Sequence, residues 1–131
     1  MSSVELFFNP QKNLVRIKCS GLLLVENLLN ACDQALADPR YTEGMGRIWD
    51  VVDADLSQIT TEQVQEITSY LSSRTDGVNF VRVGIVANDS LGFGLARVFA
   101  TVSEHTAKNE VMPFRTIEEA EEWVACGIHK K

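Results

Sequence analysis

The run Phe80-Val81-Arg82-Val83-Gly84-Ile85-Val86-Ala87 constrains this chain more than any other segment, because Arg82 is its only charged residue. A strand with one wet face alternates apolar and polar side chains, whereas a strand that is apolar throughout has both faces covered. Covering two faces of one sheet takes helices on each, which is the layered α/β arrangement. The remaining segments therefore need to supply further strands and amphipathic helices in alternation.

They do so in chain order. Val4 to Phe8 is rich in strand formers, Asn9 to Asn13 carries turn residues, and Leu14 to Cys19 partly alternates, so the pair reads as a β-hairpin closed by Gly21. Leu24, Val25, Leu28, Leu29, Cys32, Ala35 and Leu36 form a helical stripe that Asp38-Pro39 ends. Arg47 to Val52 reads as the third strand. A helix follows, with Thr60 and Gln63 spaced as a capping box and Ile59 and Val64 as its hydrophobic staple. After the apolar strand, Asn88-Asp89-Ser90 opens a helix through Leu91, Leu95, Val98, Phe99 and Val102. Val111 to Phe114 contains Pro113, which belongs on an edge strand. Thr116 and Glu119 set a second capping box for a last helix that Gly127 stops. The order is β-β-α-β-α-β-α-β-α, a mixed and mostly parallel sheet of about five strands with an N-terminal hairpin.

At 131 residues the chain has the length of one domain, so residues 1–131 read as a single unit. The net charge of -6 argues against nucleic acid, which requires clustered Lys and Arg; the basic residues His129, Lys130 and Lys131 read as a solvated tail. Cys19, Cys32 and Cys126 are too scattered for a disulfide framework or a zinc site, and Cys19 and Cys32 read as small core hydrophobes. No signal-peptide pattern opens the chain and no apolar stretch is long enough to span a bilayer. The expected setting is the reduced cytoplasm, without membrane insertion, metal or cofactor.

Ligands of open α/β sheets gather at the carboxyl ends of the parallel strands. That edge collects Asp53, Asp55, Ser57, Thr60 and Thr61 after the third strand and Asp89, Ser90 and Phe93 after the fourth. Asp53-Ala54-Asp55 has the form of an aspartyl-phosphatase nucleophile pair. Such chemistry also needs a magnesium site and a lysine, and none lies between Lys18 and Lys108. Turn and capping roles for these carboxylates are favoured. Asp50, in mid-strand, calls for a cation, with Arg47 or Arg82 as the expected partner. Ser90-Leu91-Gly92-Phe93-Gly94 lacks the lysine of a Walker loop and the dinucleotide glycine spacing, so its glycines read as packing features. Phe93 reads as covering a small apolar pocket or as core. His105 and His129 have no ligand-spaced neighbours.

Three segments together resemble the SpoIIAA-like branch of the STAS superfamily, the STAS/Sec14-type bacterial domains. They are Trp49-Asp50-Val51-Val52-Asp53-Ala54-Asp55-Leu56, Gly92-Phe93-Gly94-Leu95-Ala96-Arg97-Val98-Phe99, and Val111 through Val124 with its Phe114-Arg115 and acidic helix ending at Trp123. The resemblance implies a four- or five-stranded mixed sheet with helices, no established catalysis, and a regulatory role through a protein partner. In that superfamily a serine at the start of the helix after the central strand is a phosphorylation switch. The matching stretch here is Leu56-Ser57-Gln58-Ile59-Thr60-Thr61, which lacks the usual Asp-Ser-x-Gly and offers Ser57, Thr60 and Thr61 as phosphoacceptor candidates. The Sec14-type likeness implies an alternative, a carrier or sensor of a small apolar, lipid-like ligand. An Asp-based phosphatase is the least favoured reading. A homodimer through an exposed face is a further expectation.

Overall fold

A computed structural model describes residues 2–73, 81–104 and 108–126. The expectations placed on Phe80, His105, Gly127, His129 and the two terminal lysines fall outside the described residues. The elements are β1 (Ser3–Asn9), β2 (Leu14–Leu22), α1 (Val25–Ala37), β3 (Gly46–Asp55), α2 (Thr61–Ser72), β4 (Arg82–Val86), α3 (Ser90–Glu104), β5 (Glu110–Phe114) and α4 (Ile117–Cys126).

The sheet runs β1-β2-β3-β4-β5 in space as in sequence. β1 and β2 are antiparallel, and every later pair is parallel. β5 lies at one edge, where Pro113 removes no central ladder bond. Helices α1, α2 and α3 bury one face, on Val15, Ile17, Cys19, Val51 and Ile85. On the opposite face α4 packs Ala120 and Val124 over Leu14, Ile48 and Val86. β4 is thus covered on both sides, as its composition requires: Val83 and Ile85 face α2 and α3. Gly84 lies under Ala120 and Val124, a close approach that leaves little room for a side chain.

Several boundaries differ from the sequence expectation. β2 does not end at Gly21 but passes through it, at φ 83°, to Leu22. Leu24 precedes α1 and is exposed, while Leu23 takes the buried place. The amide of Leu24 donates to Asn27 Oδ1 at 2.8 Å, a half capping box formed without a hydroxyl. β3 continues three residues past Val52, so Asp53 and Asp55 belong to the strand and not to the loop after it. Pairing explains the extension, because Ser20, Gly21 and Leu22 stand opposite Asp53, Ala54 and Asp55 beyond a register shift.

Candidate functional site

The expected residues at the carboxyl edge fall into separate local roles. Thr60 caps α2: its Oγ1 accepts the Gln63 amide at 3.1 Å, and Gln63 Oε1 accepts the Thr60 amide at 3.0 Å. Thr60→Ala should lower the unfolding free energy by about 1 kcal/mol in urea titration. No change would assign α2's first turn to the Ile59–Val64 staple instead. Thr116 receives the Glu119 amide at 3.2 Å, but the Glu119 carboxylate meets the Thr116 hydroxyl rather than its amide, so the second box is only half formed. Thr61 and Ser90 are exposed first-turn residues of α2 and α3.

Asp55 Oδ1 accepts the Ser57 amide at 2.9 Å. That bond first, then the Ser57 hydroxyl, holds its carboxyl below the usual carboxylate range. Asp53 lies 3.9 Å from Lys18 Nζ, so the nearby lysine comes from β2 and not from a later strand. Asp53 is exposed and Lys18 partly so, and such a surface pair contributes little. Asp89 Oδ1 accepts the Gly92 amide at 2.7 Å and caps α3. A Cβ on Gly92 would stand 2.7 Å from that oxygen and 3.0 Å from Ala87 Cβ, which is why glycine occupies the position. Gly94 faces open space.

The fold does bring Asp55 and Asp89 together. With Ala54, Leu56, Leu91 and Gly92 they line a shallow cleft of about 180 Å³. Leu91 in its wall is 53% exposed, and Leu22 at the end of β2 and Leu24 before α1 are 43% and 40% exposed. Leu22 pairs with Asp55 across β2 and β3, and the amide of Leu23 donates to the Asp55 carbonyl at 3.0 Å. Ser57, Thr60 and Thr61 do not line the cleft. Phe93 does not cover the apolar cavity either: its ring lies 4.0 Å beneath the Arg115 guanidinium, beside a separate depression with Arg97 and Pro113.

Asp50 is paired by Arg16, not by Arg47 or Arg82. Arg16 Nη2 and Nε donate to its Oδ2 at 2.7 and 3.1 Å, and the Val52 amide at the register shift donates to Oδ1 at 3.3 Å. Arg47 and Asp50 are three residues apart in a strand and so face opposite sides of the sheet. Arg82 instead donates to Glu110 Oε1 at 2.8 Å and to the Trp123 carbonyl at 2.9 Å, at the end of α4. Cys19 and Cys32 are buried as expected. Burial, then the charge of Asp50, pushes the Cys19 thiol up to about 12, so it is an inert thiol at neutral pH.

A cavity of about 80 Å³ lies between the sheet and helices α2 and α3. Its apolar walls include Trp49, Val51, Leu56, Ile67, Leu95 and Phe99. Arg47, Thr68 and Ser103 also line it, though each is less than a tenth exposed. Sequence reading gave none of these three a site role. Their positions did carry a signal: Arg47 alternates with Trp49 and Val51 on one strand face, and Thr68 and Ser103 interrupt the apolar stripes of their helices one turn after Val64 and Phe99.

Among the described residues no helix is long and apolar enough to cross a membrane. The fold is SpoIIAA-like. The chain is similar to a crystal structure of an uncharacterised protein of the DUF3478 family with a SpoIIAA-like fold from Shewanella loihica PV-4, at a TM-score of 0.60 and 18% identity. The likeness covers 94% of this chain and 93% of that one. No family model matches the sequence, and no curated protein does.

Proposed function

We propose that residues 1–131 act as one non-catalytic, cytoplasmic regulatory domain of STAS type that docks a protein partner at the carboxyl end of its sheet. The observation that carries this reading is the exposed Leu91 in the wall of the Asp55–Asp89 cleft, with the exposed Leu22 paired to Asp55 across β2 and β3. Apolar side chains bordered by carboxylates suit a partner surface with an apolar centre and a basic rim. Phosphorylation fits Ser57 and Thr61 better than Thr60, whose hydroxyl oxygen is engaged by the Gln63 amide. A phosphate on Ser57 would sit beside Asp55 and repel it, weakening the cleft.

Crosslinking in native cells tests the surface, with Leu91→Asp compared against Glu43→Arg at the opposite edge. An aspartate in the first turn of α3 is compatible with the helix dipole, so Leu91→Asp should fold. The expected result is loss of a discrete crosslinked species with Leu91→Asp and its retention with Glu43→Arg. Retention in both variants would move the docking site elsewhere.

A second reading, a carrier or sensor of a small ligand, is favoured by the apolar cavity under α3.

A further inference from the structure

We infer that the free edge of β1 pairs antiparallel with β1 of a second copy of this chain, about a two-fold axis at Leu6, joining two five-stranded sheets into one. An edge strand presents a row of unpaired backbone N–H and C=O groups. Proteins that stay monomeric guard it with proline, lysine, a bulge or short length. The two edges of this sheet differ in that respect. β5 is five residues long and carries Pro113. β1 is seven residues long, from Ser3 to Asn9, with neither proline nor lysine. Its ladder to β2 runs unbroken from Ser3 opposite Ser20 to Asn9 opposite Leu14, so no bulge turns the edge away. Among the described elements β2 is its one extensive neighbour.

The strand is self-complementary in this arrangement. An axis at Leu6, the middle residue of β1, sets Leu6 opposite its own copy, Val4 opposite Phe8 and Glu5 opposite Phe7. Val4, Leu6 and Phe8 are only partly buried against the helix-side core. Pairing sets them against one another across the axis, where apolar cross-strand pairs are favourable. On the other face Phe7 is 46% exposed, with the Arg16 guanidinium 5.3 Å from its ring centre. Arg16 donates through Nε and Nη2 to Asp50, and Nη1 has no hydrogen bond among the described residues. Glu5 is exposed and likewise has neither a hydrogen bond nor an ion pair among them. The two-fold brings each Glu5 beside the Phe7–Arg16 stack of the other copy, so a carboxylate without a partner meets a spare donor twice. No like charges stand directly opposite.

The contact also limits itself. Both β1 edges are consumed in one isologous interface, and the edges left at the two ends are the guarded β5 strands, so assembly stops at the dimer.

Sedimentation equilibrium on the full chain at micromolar concentrations, with amide hydrogen exchange on the same samples, tests the pairing. The expected result is a monomer–dimer equilibrium in which the outward amides of β1 gain protection as the dimer fills. Glu5→Arg changes an exposed side chain and sets it beside Arg16 of the other copy. The dimer dissociation constant should rise about tenfold, the scale of one charge-assisted hydrogen bond. Met112→Arg, an equally exposed position on β5, should leave it unchanged. A single species of monomer mass throughout would overturn the inference. So would a dimer that is indifferent to Glu5→Arg, or one whose β1 amides exchange as freely as in the monomer. Species larger than a dimer would overturn the two-fold closure.

Discussion

Gly46→Ala should destabilise the protein by about 3 kcal/mol, the upper part of the usual overpacking range. Gly46 opens β3 beneath α4, and a Cβ there would run into Val124 Cγ1 and stand 3.3 Å from the carbonyl of Arg82. Neither neighbour yields easily. Val124 is β-branched and 3% exposed, so its rotamers are few. The Arg82 carbonyl is backbone in β4, fixed by the sheet. The whole of α4 must therefore shift, disturbing Ala120 over Gly84 as well. Gly94→Ala provides the contrast: its Cβ would meet open space inside α3, and a gain of up to ~1 kcal/mol is expected from helix propensity alone. Urea denaturation of both variants checks the pair. A Gly46→Ala loss no larger than a few tenths would mean that α4 is loosely seated.

Arg16→Met should cost about 3 kcal/mol, the low end of what breaking a buried ion pair costs. The two sides of the pair are unequal, with Arg16 30% exposed and Asp50 only 5%. Removing the arginine strands the buried carboxylate, whereas removing Asp50 leaves a guanidinium that water can still reach, so Asp50→Leu should cost less. The double variant Arg16→Met/Asp50→Leu should recover much of the loss, because an apolar pair replaces the ionic one without a stranded charge. Simple additivity of the two single losses in a denaturation cycle would show that the contact contributes nothing beyond its separate parts.

The element order was legible because each helix carries its own punctuation. Thr60 and Gln63 mark one start, Asp38-Pro39 marks one stop, and Pro113 places β5 at the edge. What sequence reading missed depends on neighbours it does not contain. Asp residues favour turns, so Asp53-Ala54-Asp55 reads as a loop until β2 supplies Ser20, Gly21 and Leu22 as pairing partners. The partner of Asp50 depends on the packing of β2 against β3; Lys18 stands opposite it in the register, yet the longer reach of Arg16 makes the contact. Arg47 shares β3 with Asp50 at an odd spacing, and the two-residue period turns it to the other face. The cavity is a difference between packed volumes, to which no short motif corresponds. At the carboxyl edge Asp55 and Asp89 line one cleft, while Thr60 and Asp89 serve as caps.

The identity of spatial and sequence strand order sets a direction in time. Each strand from β2 onward pairs with the strand just before it, so each pairing closes only the segment between consecutive strands. Among the described elements α4 reaches furthest back along the chain, laying Ala120 and Val124 over Leu14, Ile48 and Val86. Its docking has the largest sequence separation, so α4 is expected to dock after the three-helix face has formed. The Gly46→Ala penalty should accordingly appear in the unfolding limb of a chevron plot with refolding nearly unchanged. A slowed refolding limb would instead place α4 docking before the barrier.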